Sequence, residues 1–139
     1  MDRRFEHPLT VRYLEVDRQG VVFNGWYLAY LDDALTAFLE HRGLPYRALL
    51  DSGHDAQVVH TELDWTGGLG FGDPASVAVE VASVGTTSFT LAFEVRHDGR
   101  PVCTARTVYV CVATDGSGKR PLTDALRAAL TDPAATGAS

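Results

Sequence analysis

Sulfur and positive charge are both scarce in this chain. Its 139 residues include two cysteines and one methionine, and 12 Lys and Arg stand against 18 Asp and Glu, a formal net charge of -6. Cys103 and Cys111 fall in one extended-looking run. In a strand that spacing holds them roughly 26 Å apart. A disulfide needs Cα atoms within roughly 7 Å, so the two cannot pair within the chain. Two unpaired thiols suit a reducing compartment, and the acidic surplus argues against a general nucleic-acid surface. No apolar run approaches the roughly 20 residues of a membrane helix. The opening Met1-Asp2-Arg3-Arg4-Phe5-Glu6-His7 is not followed by the apolar stretch of a signal peptide. A cytoplasmic location is the expectation. There is no internal repeat, no Gly-rich phosphate motif and no nucleophile elbow. Gly67-Gly68-Leu69-Gly70 precedes no helical pattern, so a dinucleotide-binding reading fails.

What is present is ordinary globular composition, 45% hydrophobic and 22% charged. One domain over residues 1–130 is expected, with a frayed tail at 131–139 rich in Ala, Thr and Gly. Residues 9–16 alternate imperfectly and read as a first strand. Asp17-Arg18-Gln19-Gly20 is a turn-like break. A long helix is expected from about Gly25 to Arg42, with Leu28, Leu31, Leu35, Phe38 and Leu39 on one face, Asn24 as N-cap, and Gly43 and Pro45 as stop signals. After a polar connection, period two takes over: strands are expected at 57–65, around 77–81, at 89–95 and at 102–113. The last carries Val108, Val110 and Val112 on one face. Asp98-Gly99 marks a hairpin turn, and residues 122–130 suit a short terminal helix. The class is therefore α+β: one long central helix covered by a five-stranded antiparallel sheet, the last four strands read as a meander. One helix cannot cover every face and edge of such a sheet, so a homodimer is expected.

The run that carries chemistry is Val11-Arg12-Tyr13-Leu14-Glu15-Val16-Asp17-Arg18-Gln19-Gly20-Val21-Val22-Phe23-Asn24-Gly25-Trp26-Tyr27. A carboxylate, an apolar loop containing glycine and a helix start follow one another. Helix-end amides near Asn24 and Gly25 carry partial positive charge and can hold a developing oxyanion. Asp17 would serve as general base on water, or attack directly to give a mixed anhydride. Val21, Val22 and Phe23 would exclude water and line an acyl pocket.

This stretch resembles the 4-hydroxybenzoyl-CoA thioesterase family of hotdog-fold enzymes. The residues carrying the resemblance are Asp17, Gly20, Val21 with Val22, Phe23 and Tyr27. It extends through residues 59–65, the Phe71-Gly72-Asp73 turn and the hairpin at 84–89. The resemblance implies a hotdog dimer or dimer of dimers, with active sites at the subunit interface. It also implies hydrolysis of an acyl-CoA thioester without a cofactor other than the CoA of the substrate. Substrate contacts are carried over to Gly20, Val21, Val22, Phe23, Tyr27, His60, Thr87 and Ser88, and the reaction to Asp17, Asn24 and Gly25. Two departures stand out. Asn24 replaces a His found in many relatives. Gly85-Thr86-Thr87 lacks the basic residues that some relatives place near CoA phosphates.

Each residue has a plainer reading beside this one. Asp17 suits a turn carboxylate, Asn24 a simple cap, and Gly20 and Gly25 backbone necessity. Trp26, Tyr27 and Tyr30 suit a dimer core. His60, Glu62 and Asp64 share a strand face, which reads as solvated rather than metal-binding, since no second cluster supports a metal. Two other functions remain open: a thioesterase acting on carrier-protein-bound acyl groups, and a non-catalytic acyl-binding module.

Overall fold

The computed structural model describes residues 5–131. Apart from Thr131, the expected tail lies outside the described residues. Five strands form one antiparallel sheet: β1 (Phe5–Thr10), β2 (His54–Trp65), β3 (Pro74–Val84), β4 (Ser88–His97) and β5 (Arg100–Ala113). Three α-helices accompany them: α1 (Trp26–His41), α2 (Tyr46–Asp51) and α3 (Asp124–Thr131). The spatial order is β1-β3-β4-β5-β2, so only β3, β4 and β5 form a meander. Strand β2 returns to the far edge and pairs with β5 from His54↔Ala113 to Trp65↔Cys103. That corrects the expected four-strand meander. Local pattern marks strands, but their pairing partners are set by contacts between segments distant in sequence. The five-stranded sheet against one long helix is the hotdog arrangement.

Helix α1 buries Tyr27, Tyr30, Leu31, Ala34, Leu35, Phe38 and Leu39, a stripe at i, i+3, i+4 spacing. The expected face included Leu28, but Leu28 is half exposed. The stripe is centred on the 27–31–34–38 line, with Tyr27 and Tyr30 filling the core. Those two aromatics, also read as dimer core, are enclosed by their own chain, at 1% and 4% exposure. The helix ends as expected. Gly43 adopts φ +88°, and the Leu44 N–H donates to the Leu39 carbonyl at 2.9 Å, closing the last turn. Across the core, β4 alternates cleanly, with Phe89, Leu91, Phe93 and Val95 inward. On β5 the core side is Cys103, Ala105, Tyr109 and Cys111. Val108, Val110 and Val112 do share a face, but it is the opposite one.

The first strand lies earlier than residues 9–16. It pairs with β3 from Phe5↔Val79 to Thr10↔Pro74, then stops. Pro8 is tolerated because β1 is an edge strand. Residues 13–15 instead form one 3-10 turn. Helix α2, directly after Pro45, adds an element that the local pattern does not mark. Both cysteines are buried and free on β5. No described helix is long and apolar enough to cross a membrane.

Candidate active site

The chain between β1 and α1 doubles back on itself. Asp17 N–H donates to the Val21 carbonyl at 2.9 Å, and Phe23 N–H donates to the Glu15 carbonyl at 2.9 Å. Between them Val16 bridges Val22 antiparallel. Gly20 closes the tip, its N–H reaching the Asp17 carbonyl at 3.0 Å with φ +82°. A residue with a side chain adopts that angle only with strain. The loop is anchored outward too: Val22 N–H donates to the Leu69 carbonyl at 2.8 Å. Val22 and Leu69 are both core residues, at 3% and 0% exposure. Of the expected pocket wall, then, Val22 faces the core, while Val21 and Phe23 face outward.

Asp17 is half-buried. Its Oδ1 accepts the Gln19 N–H at 2.8 Å, and Oδ2 has no donor among the described residues. At the helix entrance Trp26, Tyr27 and Leu28 N–H groups donate to the carbonyls of Phe23, Asn24 and Gly25. The N–H groups of Asn24 and Gly25 donate to nothing among the described residues, and both residues are exposed. Gly25 rather than Asn24 occupies the cap position, with helical dihedrals and no side-chain cap. That corrects the expectation of Asn24 as N-cap: the turn at 23–26 already uses the first amides through backbone carbonyls. The helix therefore opens with two unspent amide donors carrying its positive end.

This corner holds a second carboxylate that the motif does not mark. Glu15 is 3% exposed. Its Oε1 accepts the Arg12 N–H at 2.9 Å and the Tyr30 hydroxyl at 2.7 Å. Its Oε2 accepts Arg12 Nε at 2.8 Å. Burial pushes its carboxyl pKa up, but the Arg12 amide, the Tyr30 hydroxyl and the Arg12 guanidinium outweigh that and hold it below the ordinary value. The only hint in the sequence is a charge set between Leu14 and Val16. The Arg12 guanidinium also lies over the Trp26 ring, 5.6 Å from its centroid.

The remaining expected contacts scatter. Tyr27 is in the core, its ring edge-on to Tyr30 and Trp65, and burial pushes its hydroxyl pKa up to about 12, with Cys103 adding to it. His60 is exposed and lies 3.5 Å from Glu62 on β2, on the face opposite α1. Thr87 and Ser88 lie where β4 begins. The Asp17 loop instead contacts the segment after β2, near where β4 ends. Strand β4 is 10 residues long, so these groups stand roughly 30 Å apart along one chain. The 85–88 hairpin does receive a cation that its own sequence lacks: Arg127 of α3 donates through Nη2 to the Gly85 carbonyl at 2.8 Å.

One turn into α1 an apolar cleft of 350 Å³ opens between the helix and the β2–β5 pair. Leu28, Leu31, Val58 and Tyr109 line it, with Asp32 and Thr61 as polar groups. Burial, then the neighbouring Asp33 and Asp55, push the Asp32 pKa up. Among the described residues no three His, Cys, Asp or Glu side chains group as a metal site.

The five-stranded antiparallel sheet and its long helix place the chain among hotdog folds. The chain belongs to the thioesterase-like superfamily, whose family profile matches residues 11–130. It is similar to the 1,4-dihydroxy-2-naphthoyl-CoA hydrolase of Synechococcus elongatus, 22% identical over 125 residues, covering 88% of this chain and 92% of the relative. Among solved structures, a 1,4-dihydroxy-2-naphthoyl-CoA thioesterase from Synechocystis superposes with TM-score 0.84 at 22% identity, over 94% and 97% of the two chains. A protein from Thermus thermophilus superposes with TM-score 0.84 at 29% identity, over 90% and 95%.

Proposed function

We propose that this chain is an acyl-CoA thioesterase, with Asp17 as the catalytic carboxylate and the Asn24 and Gly25 amides as the oxyanion site. The observation that carries this reading is the pairing, among the described residues, of a carboxylate oxygen without a donor and two unspent helix-end amides on one back-folded loop. Asp17 lies opposite Val21 in that loop, and Asn24 follows three residues later. Their α-carbons are thus on the order of 10 Å apart, a span that one thioester group can address from both sides. The amides donate to the carbonyl oxygen and strengthen their hold as it becomes an oxyanion. Asp17 takes a proton from water as the water oxygen bonds to the carbonyl carbon. Collapse breaks the carbon–sulfur bond, and the proton passes to the departing CoA thiolate. In the alternative course Asp17 itself bonds to the carbonyl carbon, CoA leaves, and water then cleaves the mixed anhydride.

The 350 Å³ cleft begins at Leu28, about 4.5 Å along the helix axis from Gly25, and receives the acyl group. Its walls suit an aromatic or an aliphatic chain. The curated relative is named for an aryl-CoA substrate, so aryl thioesters head the substrate panel. Arg127 at the 85–88 hairpin favours CoA, with its phosphates, over a carrier protein. That hairpin lies far from Asp17 in one chain, so the complete site uses a second copy. Exposed Leu28, Val58, Val59 and Trp65 supply the apolar surface for it.

The test is hydrolysis of a panel of aryl- and alkyl-CoA thioesters by the wild-type chain and by Asp17→Asn. The variant is expected to fold normally and to lose at least about two orders of magnitude in kcat. Equal turnover by both proteins would remove Asp17 from the chemistry. A faster reaction on acyl carrier protein than on acyl-CoA would replace CoA with a carrier.

A further inference from the structure

Glu15 is the only buried charged side chain among the described residues. A lone buried carboxylate is costly unless it is fully bonded, and Glu15 is bonded to three separate parts of the chain, two through its carboxylate and one through its backbone carbonyl. Its side chain holds Arg12, at the end of the β1 segment, through two bonds. It holds Tyr30, in the second turn of α1, through a third. Its own carbonyl takes the Phe23 N–H, directly before the two unspent amides. Asp17 is two residues away in the other direction. Arg12 adds contact with Trp26, the first residue of α1. The Tyr30 ring is fixed in turn, edge-on to Tyr27 with centroids 5.7 Å apart.

We propose that the Glu15–Tyr30 pair, completed by Arg12, is the brace that sets the position of Asp17 relative to the Asn24 and Gly25 amides. Glu15 and Tyr30 are positioning residues: neither touches the reacting atoms. This rests on the catalytic reading of Asp17 for its meaning, and on the bond geometry for its existence. Loss of the Tyr30 bond frees α1 to shift against the loop, because no other side-chain bond in the described residues joins Glu15 to that helix. Loss of the Arg12 guanidinium removes both its bond to the carboxylate and its contact with Trp26 at the start of α1. Reacting groups must be held to fractions of an ångström, so a small shift costs rate and not binding.

The experiment uses Tyr30→Phe, which keeps the ring and removes the hydroxyl, and Arg12→Gln, which removes the guanidinium at a side chain 59% exposed. Leu126→Ala, a cavity in α3 far from this loop, serves as the stability control. Amide hydrogen exchange in residues 16–25 is expected to quicken about tenfold in Tyr30→Phe and Arg12→Gln, the scale of one bond to a charged group, with β3, β4 and β5 unchanged. In the same variants kcat falls about tenfold while KM stays within about twofold. Leu126→Ala moves neither. Unchanged exchange in residues 16–25 of both variants overturns the brace, and so does a rate loss in Leu126→Ala equal to theirs. The exchange measurement needs no turnover. An inactive wild type, or an active Asp17→Asn, therefore removes the catalytic reading while the exchange result still judges the brace.

Discussion

Replacing Gly20 with alanine tests the loop geometry at its tightest point. Gly20 sits at φ +82°, and a Cβ built there meets nothing within 4 Å. The steric term against neighbours is therefore nil, and the whole effect comes from the backbone. Holding an L-residue in the left-handed region costs about 1–2 kcal/mol. Against this, alanine restricts the unfolded chain and returns about 0.4–1 kcal/mol. The net expectation is a loss of about 1 kcal/mol, or a few degrees in Tm for a chain of this length. Urea unfolding followed by tryptophan fluorescence measures it, with the midpoint lowered and the slope unchanged. Two comparisons isolate the cause. Gly70→Ala places its Cβ 3.5 Å from Asp73 Oδ2 and from the Gly20 carbonyl, ordinary contact without a positive φ, and is expected to cost less. D-alanine at position 20, introduced by ligation, suits the left-handed angle and is expected to restore or exceed wild-type stability. An L-alanine variant with the wild-type midpoint, or a D-alanine variant as weak as the L form, would refute the reasoning.

Two further expectations concern titratable groups. The Glu15 pKa is held below its unfolded value, so its contribution to stability is complete above the ordinary glutamate range, near pH 4.3, and is lost as pH falls through the lowered folded value. Urea midpoints taken from pH 7 down to pH 3 should fall more steeply for wild type than for Glu15→Gln, and parallel curves would count against the pairing. Burial, with Asp64 adding to it, pushes the Cys103 thiol up to about 11, and Cys111 is raised for the same first reason. Iodoacetamide at pH 8 should leave both untouched in the folded protein and label both in urea, read by mass spectrometry. Labelling of the folded protein at the unfolded rate would show that β5 is not closed.

Much of the fold is legible because it follows local periods. The α1 stripe and its Gly43 stop, the alternation of β4, and the Asp98-Gly99 turn, with φ +53° and +75°, are each set by residues within a few positions of one another. Element ends were less legible: β1 begins at Phe5 although Pro8 breaks the pattern, because an edge strand spares one N–H. The candidate loop shows the same division. Asp17, Gly20 and the amides at 24–25 could be marked from their order alone. Glu15 could not, since nothing nearby in sequence reveals that Tyr30, fifteen positions on, supplies its hydroxyl.

The sequence by itself determined the long helix and its stop, the alternation of β4, the acidic loop ahead of the helix, and the inability of Cys103 and Cys111 to pair, because each depends on short-range geometry. Tertiary structure alone decided that β2 crosses to the far edge beside β5, that Tyr27 and Tyr30 fill the core, that Thr87 and Ser88 lie at the far end of the sheet from Asp17, and that α3 brings Arg127 to the 85–88 hairpin. These are meetings between distant segments. They follow from how one long helix and five strands bury their apolar faces together, and no local pattern encodes that.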